Sequence, residues 1–107
     1  MAKWVSAQTL RHWITTGRPL TMIDVRLGQV ETIDAAVHIP VTDLEDEPRS
    51  FPRDHDLVVF CQHGGGGSEY AAEVLEEQGY GRVYILTGGV DAYLAAATAQ
   101  RAGVQEP

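Results

Sequence analysis

The sequence predicts an α/β fold: an open, mostly parallel sheet flanked by helices. Three observations lead there. Short, mainly apolar runs at Leu20–Ile23, Leu57–Phe60 and Val83–Leu86 have the pattern of strands covered on both faces. Segments with helical spacing of apolar residues alternate with them, as in chains that build parallel sheets. Gly and Pro stand at most of the joints. The chain has 107 residues, and a compact domain usually takes about 100–150. One domain over 1–107 is therefore expected, with its core at about 4–100 and a frayed tail at 103–107.

The elements follow in order. Ser6 is a good N-cap for a helix carrying Leu10, Trp13 and Ile14, which Gly17 stops. Leu20–Ile23 reads as a strand ending at Asp24-Val25-Arg26. Val37-His38-Ile39 reads as a short strand closed by Pro40, and Val41 to Glu47 as a helical turn. Ser50 to Asp56 is polar and contains Pro52, hence a loop. After the strand Leu57–Phe60 come Cys61-Gln62-His63 and four glycines, Gly64, Gly65, Gly66 and Gly67. Ser68 reads as the cap of a helix with Ala71, Val74 and Leu75 inward and Glu69, Glu73, Glu76 and Glu77 toward water; Gly79 stops it. Val83–Leu86 is a strand, Gly88-Gly89 a turn, and Val90 to about Gln100 a helix with Val90, Tyr93, Leu94 and Ala97 inward.

Charge narrows the partners. Eight basic against fifteen acidic residues give −7 with histidines neutral, a surface that a nucleic acid or an anionic membrane repels. Asp43, Glu45, Asp46 and Glu47 form a solvated acidic face. No apolar run approaches the ~20 residues that cross a bilayer, and the first residues lack a secretory signal. A soluble, cytoplasmic protein is expected. Cys61 is the one cysteine, which excludes an internal disulfide and a Cys-rich metal site. His12, His38 and His55 are scattered, so no metal site is expected.

Cys61 carries the chemistry. It stands at the carboxyl end of a buried strand, where ligands bind in sheets of this kind. Four glycines then separate it from a helix whose first N–H groups point back at the loop. Each costs roughly 0.5–1 kcal/mol relative to Ala, and a tight turn needs two at most. Converging amides that hold an anion explain the run. The helix dipole contributes ~0.3–1 kcal/mol, less than one pKa unit, while each hydrogen bond from an amide to a charged group adds ~1.5–3 kcal/mol. Two or three such bonds make Cys61 a thiolate near neutrality.

These residues resemble the rhodanese-like sulfurtransferases. The resemblance rests on Ile23-Asp24-Val25-Arg26, on Ala35-Ala36-Val37-His38-Ile39-Pro40, and on Val58-Val59-Phe60-Cys61-Gln62-His63-Gly64. It continues through Ala71-Ala72, Leu75 and Gly79-Tyr80 to Val83-Tyr84-Ile85-Leu86-Thr87-Gly88-Gly89-Val90. It implies a five-stranded parallel sheet and sulfur transfer through a Cys61 persulfide. The donor is a compound such as thiosulfate, the acceptor a thiol or cyanide, with a protein acceptor also open. No metal or organic cofactor is required. The candidate catalytic residue is Cys61. Gln62, His63, Gly64, Gly65, Gly66, Gly67 and Ser68 form the candidate substrate- and anion-binding loop, in which Gln62 reads as structural and Ser68 chiefly as a cap. Asp24 and Arg26 are supporting residues, read first as a structural ion pair.

Three departures from the family pattern stand out: the first touches a surface connection, the second is a conservative packing change, and the third concerns the active site. Val30-Glu31-Thr32-Ile33-Asp34-Ala35 departs from the usual family segment, with a shortened loop, and Tyr93 stands where the family usually has Trp. With Ser68 as cap, the loop from Cys61 to Gly67 has seven residues, the length found in phosphatases and arsenate reductases of the same fold. Those have an Arg where this chain has Gly67, and Arg grips a tetrahedral oxyanion bidentately. A phosphatase or arsenate reductase is thus one alternative; a sulfur-carrier or partner-docking module with little turnover is another.

Overall fold

The structure, a computed structural model, describes residues 2–28, 33, 36–46, 51–63 and 66–105, with side chains through 98. The described residues form five strands and four helices, in the order β1 (Lys3–Val5), α1 (Ala7–Thr15), β2 (Leu20–Asp24), β3 (Val37–His38), α2 (Val41–Asp46), β4 (Asp56–Phe60), α3 (Gly66–Glu77), β5 (Val83–Leu86) and α4 (Gly89–Gln105). The strands form one sheet in the order β1-β5-β4-β2-β3. Every pair in it is parallel.

The central strand explains the layering. All residues of β4 are buried, and its side chains alternate across the sheet with the period of two that a pleated strand imposes. Leu57 and Val59 join Ile23, Ala71, Leu75 and Ile85 in one core. Val58 and Phe60 join Leu10, Met22, Leu86 and Tyr93 in the other. Helices α2 and α3 cover the first face, α1 and α4 the second. Burial of each such side chain is worth about 1.5–3 kcal/mol, so β4 is held from both sides and its carboxyl end is a rigid platform. Ser6 caps α1 as expected, its side chain accepting from the Thr9 N–H at 3.1 Å. Gly17 and Gly79 end their helices with φ of +77° and +95°, left-handed values that glycine adopts without strain.

The structure differs from the sequence reading at four places. Helix α3 begins at Gly66, so Ser68 lies inside its first turn, fully buried, and is not its N-cap. The inward face of α4 is Val90, Tyr93 and Ala96, while Leu94 is 52% exposed and Ala97 half-buried. Steps of three residues follow the helical period from Val90, and Leu94 falls to the side of that stripe. Helix α4 also runs on through 103–105, where a tail was expected. Finally, the fifth strand is β1, which pairs Lys3, Trp4 and Val5 with Tyr84, Ile85 and Leu86. Gly64, Gly65, Glu47, most of the departing segment 30–35 and residues 106–107 lie outside the described residues.

Candidate active site

The site is built where three parallel strands end together. β4 ends at Phe60, and half-buried Cys61 follows it. The first turn of α4 grips the backbone there: the Val90 N–H donates to the Cys61 carbonyl at 2.9 Å and the Asp91 N–H to the Gln62 carbonyl at 3.1 Å. Those two N–H groups belong to the unpaired donors of a helix start. Gly89 makes the approach possible. Its φ is +63°, and a Cβ there would lie 2.3 Å from the Cys61 carbonyl oxygen.

The Cys61 side chain lies by the start of α3. Its Sγ is 3.5 Å from Ser68 Oγ. In the thiol form Sγ–H donates to that oxygen; once sulfur is ionised the hydroxyl turns and donates to it. Gly66 and Gly67 form the first turn of α3. A Cβ at either would meet nothing within 4 Å, and neither has a left-handed φ. Sterics do not demand glycine at these two positions.

Asp24 and Arg26 come to the same edge from the end of β2. Asp24 is fully buried. Arg26 Nε donates to Asp24 Oδ1 at 3.0 Å and Nη2 to Oδ2 at 2.7 Å, and the Arg26 N–H donates to Oδ1 at 3.1 Å. Nη1 reaches across to Gln62 Oε1 at 2.8 Å. The hydrogen bond to Asp24 holds the guanidinium above its ordinary pKa against the opposing effect of burial, and the charges of Asp24, Asp91 and Cys61 act in the same direction as the bond. The expected ion pair exists, and it places a fixed cation within electrostatic reach of the sulfur.

Two residues that the sequence reading did not place in the site belong to this edge. Asp91, in the first turn of α4, accepts from Gln62 Nε2 at 2.6 Å and from His63 Nδ1 at 2.6 Å. His38 Nε2 lies 2.7 Å from the Arg26 carbonyl oxygen and donates to it. Asp91 left one signal in the sequence, an acid in the first turn of a helix after Thr87-Gly88-Gly89. Using that signal requires knowing that β5 lies beside β4. Among the described residues no three His, Cys, Asp or Glu side chains gather as a metal site, and no helix is long and apolar enough to cross a membrane.

Cys61 thus lies between a parallel strand and the start of a helix, and comparison with known proteins gives this arrangement a family. A family model for the rhodanese-like domain matches residues 6–96. The chain belongs to the rhodanese-like family. A thiosulfate sulfurtransferase of Coxiella burnetii is 31% identical to it over 90 residues, covering 80% of this chain and 83% of the relative. A sulfurtransferase of Allochromatium vinosum is 27% identical over 96 residues, covering 87% and 89%. A tRNA uridine(34) hydroxylase of Bordetella parapertussis is 34% identical over 99 residues; the match takes in 83% of this chain but 41% of that protein. Among solved structures, a rhodanese-like domain protein from Staphylococcus aureus superposes with a TM-score of 0.75 at 24% identity, covering 85% of this chain and 90% of that one. This rhodanese-like domain thus has the five-stranded parallel sheet that the resemblance implied.

Proposed function

We propose that this rhodanese-like domain is a sulfurtransferase that carries sulfane sulfur on Cys61. The observation that carries the reading is the setting of Cys61: half-buried at the end of the central strand, with Sγ 3.5 Å from Ser68 Oγ in the first turn of α3. The Cys61 thiolate attacks the outer sulfur of a donor such as thiosulfate. The donor's S–S bond breaks, its electron pair leaves with sulfite, and Cys61 becomes a persulfide. The first-turn amides of α3 and the charge of Arg26 favour that anion. A thiol or cyanide then attacks the outer sulfur and returns Cys61 to the thiolate. This is covalent nucleophilic catalysis in two steps, and it asks for no cofactor.

A phosphate ester is less well served. The Nε and Nη2 edge of Arg26 is turned to Asp24, so it is not offered as a fork to a tetrahedral dianion, and position 67 brings no guanidinium. The test is intact mass after incubation with thiosulfate, in parallel with hydrolysis of a phosphate ester. The expected result is a gain of one sulfur, absent in Cys61→Ser, with hydrolysis at background. An unchanged mass with the thiol demonstrably reduced, or ester hydrolysis lost in Cys61→Ser, overturns the proposal.

A further inference from the structure

The first turn of α4 does more than hold the loop backbone. Asp91 Oδ2 lies 2.6 Å from His63 Nδ1. An ionised carboxylate only accepts, so Nδ1 must carry the proton of this bond. In neutral imidazole that leaves the lone pair on Nε2, across the ring from Asp91. Among the described residues Nε2 has no partner. His63 stands two residues beyond Cys61, and its side chain is 79% exposed, that of Asp91 50%, so an acceptor arriving from solvent can reach the imidazole. Asp91 is the charged group paired with His63, and Gln62 links that carboxylate to Arg26 from the end of β2.

Resting on the sulfurtransferase reading, we infer that His63 is the base for the acceptor half of the reaction, oriented by Asp91, and that the acceptor is a protonated thiol. The step balances without an oxidant. His63 Nε2 takes the S–H proton of the acceptor. The acceptor sulfur, now an anion, attacks the outer sulfur of the Cys61 persulfide. The Cys61 S–S bond breaks and its electron pair returns to Sγ as the thiolate, while the acceptor departs as a persulfide. His63 then releases its proton to water. The loading half, in which a thiolate attacks thiosulfate, has no such proton to remove.

The size of the effect has a ceiling set by the acceptor. A thiol of pKa about 8.5 is ionised in about one molecule in thirty at pH 7, so a base at the site gains at most about thirty-fold. General bases ordinarily contribute about a hundredfold or more; the acidity of the thiol, not the imidazole, sets the limit here.

The experiment preloads the protein with thiosulfate, verifies the added sulfur by mass, and measures sulfur transfer near neutral pH to glutathione and, separately, to sulfite. An appreciable share of sulfite is already the proton-free dianion at that pH. In His63→Gln the ratio of glutathione to sulfite transfer should fall about tenfold, and in Asp91→Asn less, in the same direction. Added imidazole should restore glutathione transfer in His63→Ala. If both acceptors slow together, or the ratio stays within about twofold and imidazole restores nothing, His63 is not the base. If no sulfur is loaded on the unaltered protein, the sulfurtransferase reading fails, and this inference with it.

Discussion

The ion pair at the end of β2 allows a quantitative test of how the site is held. Replacing Arg26 with Gln removes the donors at 3.0 Å and 2.7 Å from the Asp24 carboxylate and the one at 2.8 Å from Gln62. Asp24 is left fully buried with the Arg26 backbone N–H among its remaining donors. Removing one partner of a buried pair typically costs about 3–5 kcal/mol, because a charge stays behind without its counterion. Whole domains have only about 5–15 kcal/mol of stability. At about 4–8 °C per kcal/mol for a domain near this size, the melting temperature should drop by well over 10 °C.

Urea denaturation of the parent, Arg26→Gln, Asp24→Asn and the double variant measures the effect and its origin. If an uncompensated carboxylate causes the loss, the double variant regains part of what Arg26→Gln loses, and the cycle shows coupling above about 0.5 kcal/mol. A change below about 1 kcal/mol in Arg26→Gln refutes the reasoning, since surface pairs are worth that little. A double variant whose loss is the plain sum of the two singles refutes it as well.

Three further outcomes follow from the same geometry. Alkylation of Cys61 by iodoacetamide across a pH series should show a midpoint below the ~8.5 of a free cysteine, because the interaction that favours charged Arg26 beside Cys61 equally favours the thiolate; Arg26→Lys should keep the midpoint low, and a midpoint at or above ~8.5 in the parent argues for an inert thiol. Gly89→Ala, with its Cβ 2.3 Å from the Cys61 carbonyl oxygen, should lose stability and sulfur loading together, whereas Gly67→Ala should be neutral or gain about 0.4–1 kcal/mol in urea titrations, and Gly67→Arg should fold and bind inorganic phosphate more tightly by calorimetry. Tyr70 is held above the ordinary tyrosine range by its hydrogen bond to Glu45 and by desolvation, so the fold favours the neutral phenol and its contribution to stability is present below the unfolded-state value and lost as pH rises through the folded one; absorbance titration of the parent against Glu45→Gln should show the variant ionising at lower pH.

Much of this architecture was legible in the sequence because it is periodic. Leu57–Phe60 announces a strand covered on both faces, and Ala71, Val74 and Leu75 announce the inward face of α3. The misses have local causes. β1 is a three-residue edge strand with two exposed positions, and its existence depends on β5 rather than on its own pattern. The inward face of α4 was misjudged because alanines at 92, 95, 96 and 97 give almost no contrast between its sides. The start of α3 was misplaced because glycines carry no side chain to mark where a helix begins, and Ser68 is a residue type that usually caps. Asp91 was missed because its meaning is tertiary. It matters only once β5 is paired to β4 and the start of α4 is thereby brought against Gln62 and His63.

The position of the cation bears on what kind of anion the site favours. In the phosphatase pattern the guanidinium follows the loop and presents two donors to one ligand. Here position 67 has room for a side chain and holds none, and the cation comes instead from the neighbouring strand, with its Nε and Nη2 directed at Asp24. Such a cation acts on the site through its field more than through direct hydrogen bonds. A thiolate or persulfide bears one negative charge at a compact sulfur centre, for which the first-turn amides of α3 and one nearby charge are an adequate match. A tetrahedral dianion spreads its charge over several oxygens and needs donors aimed at each. The glycines of the first turn of α3 strengthen that distinction. They weaken the helix by roughly 0.5–1 kcal/mol each relative to Ala where sterics impose no glycine, a cost that an anion held by the first-turn N–H groups, as proposed, would account for. On the proposed reading, a cation already engaged with its own carboxylate suits a singly charged sulfur anion better than a phosphate ester.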